Sequence, residues 1–445
     1  MIRLVLSDLT AHARVWFGVL AVTTATGFVG AVAAGLIETG IAYGGRVLSG
    51  LGSTSSAVIM FTAVTAVIVL GSTTNLTVAL QRRDYALWQL VGVRPALVAL
   101  AVLAQLGVVG AVGAFAGCLA AMPIFPPLFT WAFRTWPDMQ GITLQIGSIS
   151  ALAVTAAVTG VVLLSGVRGA RNASRTPPVE ALRDPEPRRI RMGWLRIVLT
   201  VLLLGGAIAV AQSLDGRDTI GAFSGRAILL TPLIAAALAT AGPALFPLAL
   251  RAWTALLPAR ASASWFLARN SARYRLSQSS AAISPLMIAI ALAGGLYTTS
   301  ATLAARAAQT GASGRFDLAP EGVVILLGGP LLLSAVASAA TVFMTGHARE
   351  REFALIQAAG STRGAIILAA SWEAVIYVIT ATILGTAAIA IGGVIVAAAL
   401  SLPLVASFPT IGLIAGAGFV LILAATAAPT VAALRHEIPR TLAVE

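Results

Sequence analysis

The sequence predicts an all-α polytopic membrane protein of about ten transmembrane helices. Three observations carry that prediction. Hydrophobic residues make up 58% of the 445-residue chain against 10% charged, and the mean hydropathy is +0.93. A soluble chain of this length cannot cover its surface with so few charges. Apolar runs of about 20 residues, the length that crosses a bilayer as helix, recur from end to end. The arginines, finally, sort by side. With the N-terminus inside, the outer loops hold Arg46, Arg134, Arg217, Arg226, Arg306 and Arg315, and the other 23 of the 29 basic residues lie on the cytoplasmic side or its boundary. That bias follows the positive-inside rule, and a register shift of one span reverses it.

The first span is expected over 15–36, behind the polar start "MIRLVLSDLTAHARVW". Its apolar stretch is too long for the core of a signal peptide, so it is read as an uncleaved span. The second, 56–80, runs into a polar and aromatic segment, "RRDYALWQLVG" (82–92). The third, 97–121, carries Gly113-x-x-x-Gly117, a pattern that permits close helix approach, and the chain's single cysteine, Cys118, which has no partner for an internal disulfide. The fourth, 145–166, opens into the largest water-facing segment, the Arg- and Pro-rich stretch 166–194, read as a linker with a short helix around "PPVEALR". Spans at 195–213 and 227–250 follow. An amphipathic, Arg-bearing stretch from Ser264 leads into the seventh span, 279–300, and the eighth, 322–345, runs into "EREFALIQAAG" (350–360). The ninth, 364–395, is long enough to tilt or to extend into water, and the tenth covers 410–432. Trp16, Trp131, Trp136, Trp194 and Trp253 fall near span ends, as an interfacial belt does.

Several function classes are excluded at this level. All 29 basic residues are arginine, so the chain has no lysine for a phosphate-binding P-loop and does not hydrolyse ATP by that route. His12, His347 and His436 have no metal-ligand spacing, and no catalytic triad or Cys/His cluster appears, so neither a catalytic nor a metal site is expected. The net charge of +13 is read as topology and contact with anionic lipid rather than nucleic-acid binding. The Ala-, Gly- and Arg-heavy usage points to a bacterial source and a bacterial cytoplasmic membrane, with both termini cytoplasmic.

The two quoted segments are one motif written twice. At an offset of 268, Arg83 pairs with Arg351, Ala86 with Ala354, Leu87 with Leu355, Gln89 with Gln357 and Gly92 with Gly360, while Asp84/Glu352 and Tyr85/Phe353 keep their type. The same offset sets Trp88 on Ile356 and Gln105 on Glu373. The chain therefore reads as two parallel four-span units, 1–185 and 259–445, joined by a two-span linker, 186–258. Each segment is expected to form a short cytoplasmic helix, 83–95 and 351–363, with Tyr85, Leu87, Trp88, Leu90 and Val91 on an apolar face and Arg83, Asp84 and Gln89 off it. Gly92 and Gly360 sit where a helix end wants a left-handed residue. A lipid anchor alone does not require position-by-position recurrence, whereas docking on a twofold partner does.

Here the sequence resembles the FtsX-like permease family, the membrane subunits of ABC transporters. Residues 349–373, "REREFALIQAAGSTRGAIILAASWE", carry the closer match, and 82–105 a weaker one with Gln105 in place of the acid. The resemblance implies two FtsX-like units whose short helices are coupling helices, docking on a separate cytoplasmic ABC ATPase, one per nucleotide-binding subunit. ATP and Mg are then bound by that partner, and this chain holds no cofactor. Arg83, Asp84, Tyr85, Leu87, Trp88, Gln89 and Gly92, with Arg351, Glu352, Phe353, Leu355, Ile356, Gln357 and Gly360, become the expected docking residues. The connections at 37–55 and 301–321 are too short for the large extracytoplasmic domain of many family members. The function expected is export or extrusion of a hydrophobic or amphipathic substrate such as an antibiotic, peptide or lipid. The alternatives are an ATPase-controlled mechanical or signalling protein, and a secondary transporter using Glu373 as a proton site. Within the spans Asn75, Gln105 and Glu373 are the polar candidates. The first two are expected as interhelical hydrogen-bond partners and Glu373 chiefly as a structural acid facing the bundle.

Overall fold

The computed structural model describes residues 12–134, 139, 141–142, 144, 146–174, 193–214, 220–258, 262–310, 320–403 and 408–433. The exit motifs expected around "PPVEALR" and at the end of the chain, and Trp136, lie outside them. Among the described residues the regular structure is helical. In the first part of the chain run α1 (Ala13–Tyr43), α2 (Gly45–Leu80), α3 (Arg82–Leu90), α4 (Pro95–Ala132) and α5 (Ser148–Ser174). Then come α6 (Trp194–Gln212), α7 (Ile220–Thr240), α8 (Gly242–Thr254), α9 (Ala263–Tyr274) and α10 (Leu276–Thr310). The last are α11 (Pro320–Ala358), α12 (Arg363–Ala399) and α13 (Phe408–Ala433). Among the described residues eight helices are long and apolar enough to cross a membrane, and they fall on the expected spans other than the fifth and tenth; the sixth, expected over 227–250, covers Phe223–Thr240, because the helix breaks at Ala241 before α8. The fifth and tenth correspond to α6 and α13, in which the described apolar stretches are 196–212 and 411–420.

The helices fall into two compact units, Met1–Arg188 with Ala319–Ala340, and Arg189–Leu318 with Thr341–Glu445. In the first, α1 and α4 pack backbone to backbone. A Cβ on Gly117 would lie 2.1 Å from the Thr24 carbonyl oxygen, and one on Gly27 2.3 Å from that of Ala114. The expected role of Gly113-x-x-x-Gly117 in close packing is therefore the observed one. Around this crossing Val22, Val69, Leu70, Val102, Leu106 and Val162 form the core. Trp16 belongs to that core at 4% exposure, not to an interfacial belt, because its ring packs among α1's partners instead of pointing to a span end. Glu38 of α1, a residue sequence reasoning passed over, accepts hydrogen bonds from the Gly147 N–H (2.8 Å) and the Ser150 hydroxyl (2.6 Å). A carboxylate there satisfies orphan donors at the start of α5 and complements its dipole.

Two departures from the expected division are informative. The first stretch of α11 groups with the first unit, where Gly329 abuts Val29 and Thr62 and Leu333 and Ala337 join the core. The pair α6–α7 groups with the second unit. Thr231 of α7 fills the space left by Gly295 of α10 and Gly392 of α12. In that unit Gly385, which stands at the offset of 268 from Gly117, faces Ile290 and Met287 of α10 and so also lies at a helix crossing. Gly44 alone, at φ +65°, separates α1 from α2.

Candidate functional site

The first repeated segment is α3, nine residues long. A helix of this length is marginal by itself, so its stability must come from what its inner face touches. Tyr85 and Ala86 are fully buried and the Trp88 ring meets Tyr85 edge-on at 5.4 Å. The Tyr85 phenol donates to Gln81 Oε1 at 2.6 Å and approaches Gln105 Oε1 at 3.4 Å. Gln89 Nε2 donates to the Ala173 carbonyl of α5 at 3.3 Å. Near the start of the helix, His12 and Asp84 are 3.4 Å apart, and Asp84 sits in the first turn, where the helix dipole favours it. Tyr85, Trp88 and Gln89 thus fasten the helix to its own bundle. The surface it presents consists of Arg83, Leu87, Leu90 and Val91, with Val91 86% exposed. The single apolar face read from the sequence is divided: the aromatic half turns inward because its phenol and indole find partners there, and the aliphatic half faces out.

Gln81, at the break between α2 and α3, was not singled out by sequence reasoning. It is 2% exposed, its φ and ψ of −94° and 7° are non-helical, and its side chain caps the Tyr85 hydroxyl. The signal that points to it is a polar residue four positions before a tyrosine, the spacing of one helical face.

At the end of α3 the Val93 N–H bonds to the Trp88 carbonyl and the Gly92 N–H to that of Gln89, both at 3.0 Å, with Gly92 at φ +95°. In the second copy the Ser361 N–H bonds to the Ile356 carbonyl (3.1 Å) and the Gly360 N–H to that of Gln357 (2.9 Å), with Gly360 at φ +96°. These are the same two-bond helix terminations, residue for residue, at the offset of 268. Neither helix continues to the expected ends at 95 and 363, because the left-handed glycine stops it and Pro95 or Arg363 opens the next span. Thr362 caps that second start, its hydroxyl accepting from the Ala365 N–H at 3.3 Å.

The two copies differ where they begin. The second is not a separate helix but the last turns of α11, which runs unbroken to Ala358. Leu355 is 60% exposed and matches Leu87; Ile356 is partly buried, as is Trp88. Gln357 Nε2 is buried and finds no partner among the described residues. The side chains of Arg351, Glu352 and Phe353 lie outside those described.

The intramembrane candidates separate. Asn75 donates to the Gly71 carbonyl of its own helix at 2.6 Å, its short amide reaching the preceding turn. Gln105 is fully buried, and its Oε1 lies 3.4 Å from the Tyr85 hydroxyl of α3. Glu373 is 4% exposed and accepts a hydrogen bond from the Tyr377 hydroxyl one turn on, while Ser279 of α10 lies 3.4 Å from that hydroxyl. Its carboxylate therefore faces the bundle. Among the described residues no group of His, Cys, Asp and Glu is placed to hold a metal ion.

The family model described as FtsX-like permease C-terminal matches the chain twice, over residues 56–178 and 324–438, together more than half of its length. The two matches begin 268 residues apart, the offset that superposes the two helix terminations. No curated protein shows significant similarity to the chain.

Proposed function

Because the chain belongs to the FtsX-like permease family and is a membrane permease component of an ABC-type system, we propose that a separate cytoplasmic ABC ATPase drives it through α3 and the end of α11. One observation supports this reading above the others. The backbone of the repeated segment ends in the same hydrogen-bonded glycine turn in both copies, and in both the residue at the Leu87/Leu355 position faces outward. A pair of matched apolar knobs suits a partner that presents two matched clefts, one on each ATPase subunit. ATP-driven closure of those subunits would displace the two segments, and with them α2, α4, α11 and α12. The substrate is then a hydrophobic or amphipathic molecule, such as an antibiotic, peptide or lipid, moved outward.

The mechanical alternative needs an outer contact surface. Between α1 and α2 a single residue makes the connection, which favours transport. The test is co-purification with the ABC ATPase that the wild-type chain retains. Leu87→Arg with Leu355→Arg should reduce retention and ATP turnover at least about thirtyfold, as loss of an interface hot spot of about 2 kcal/mol does. Membrane insertion should be unaffected. Unchanged retention in the double variant removes the docking assignment.

A further inference from the structure

We propose that the α8–α9 elbow binds the phosphodiester of an anionic lipid headgroup, held by Arg251, Arg269 and Arg273. This does not rest on the ATPase reading. The elbow precedes the span of α10, which starts at Ser279, and so lies at the level of a membrane surface. Ser262 caps α9 by accepting from the Trp265 N–H at 3.0 Å, and Trp265 is buried edge-on against Trp372 at 5.4 Å. Trp253 donates to the Thr380 hydroxyl at 2.9 Å. The aromatic cluster thus fixes α8 and α9 on α12, and the arginines they carry are held together rather than dispersed.

Arg273 donates to the Thr254 hydroxyl (2.6 Å) and reaches the Arg251 carbonyl (3.4 Å) at the end of α8. Among the described residues none of the three guanidinium groups is paired with a carboxylate. The Nε atoms of Arg269 and Arg273 are buried and without a hydrogen-bond partner among the described residues. Burial lowers the proton affinity of Arg273, and the neighbouring charges of Arg269 and Arg251 lower it further. Concentrated guanidinium groups with spare donors match an anion with several acceptor oxygens.

The adjoining space defines what carries the anion. An open cavity of about 560 Å³ is lined by Phe266, Leu267, Asn270, Arg273, Tyr274 and Arg275. Phe266 and Tyr274 are 51% and 63% exposed. Apolar rings beside arginines at membrane-surface level accommodate the glycerol and first methylenes of a lipid, for which a free phosphate has no use.

The test is photo-crosslinking of the full chain in phosphatidylcholine nanodiscs containing a photoactivatable phosphatidylglycerol, with adducts mapped by mass spectrometry. In the wild type, adducts should concentrate on the peptide 263–275, and excess soluble glycerophosphate should not remove them. Arg269→Gln with Arg273→Gln should lower the yield there about tenfold, whereas Arg94→Gln should leave it unchanged. Wild-type adducts spread evenly over all Arg-bearing segments overturn the site, a result independent of how the variant folds. Retention of the adducts in a folded double variant does the same. Displacement by glycerophosphate overturns the lipid assignment and leaves a soluble phosphate as the ligand.

Discussion

Tyr85 and Phe353 hold the same place in the repeat, and the one oxygen between them separates the two segments chemically. The Tyr85 hydroxyl sits between Gln81 and Gln105, both buried, so its removal strands acceptors that water cannot reach. Tyr85→Phe should lower stability by about 1–3 kcal/mol in detergent thermal unfolding, and Tyr85→Ala by about 3–5 kcal/mol because the ring is also lost. Both should act on ATPase coupling only through displacement of α3, since the ring is not at the surface. Glu373 was legible in the sequence as an acid inside a span; its partner Tyr377 was not, although the spacing of four places them on one face. A glutamine keeps an acceptor for that phenol. Glu373→Gln should therefore retain ATP-coupled transport and the same pH profile, while Glu373→Leu should fold less stably by about 1 kcal/mol or more. Loss of transport in a folded Glu373→Gln protein would favour a proton-linked role.

At the scale of elements, glycine carries most of what the sequence made legible. Gly92 and Gly360 were readable as helix stops, and both occur in the left-handed region. What the sequence did not show is that α3 breaks from α2 at Gln81 while α11 runs through the matching point. Position 349 is Arg and 353 is Phe, so the amide–phenol pair that occupies the break in the first copy has no counterpart in the second. The inward turn of Tyr85 and Trp88 was likewise hidden, because periodicity marks an apolar face without saying which half of it is covered. Packing glycines make a sharp contrast. A methyl at Gly117 meets the Thr24 carbonyl at 2.1 Å, whereas one at Gly160 meets nothing within 4 Å. Gly117→Ala should destabilise by about 1–3 kcal/mol through forced separation of α1 and α4, and Gly160→Ala should be neutral or slightly stabilising in the same unfolding assay.

At the scale of the whole molecule, composition and arginine bias were enough for a multi-pass helical membrane protein, and the offset of 268 was enough for a duplicated permease. The grouping of spans was not legible. That α7 packs into α10 and α12 through Thr231, and that the start of α11 groups with the first unit, depends on side-chain complementarity at Gly295, Gly392 and Gly329, which hydropathy does not record. Contact of the two matched segments with the ATPase is directly measurable, because the chain has a lone cysteine. Cys118 is buried, so in a Cys118→Ala background an introduced thiol is the only one. Leu87→Cys and Leu355→Cys, tested singly with a short thiol-to-amine cross-linker in membranes holding both subunits, are predicted each to form a covalent adduct with the ATPase. Gly160→Cys is predicted to form none. Absence of an adduct from both leucine positions, with the complex intact, would contradict docking through the two segments.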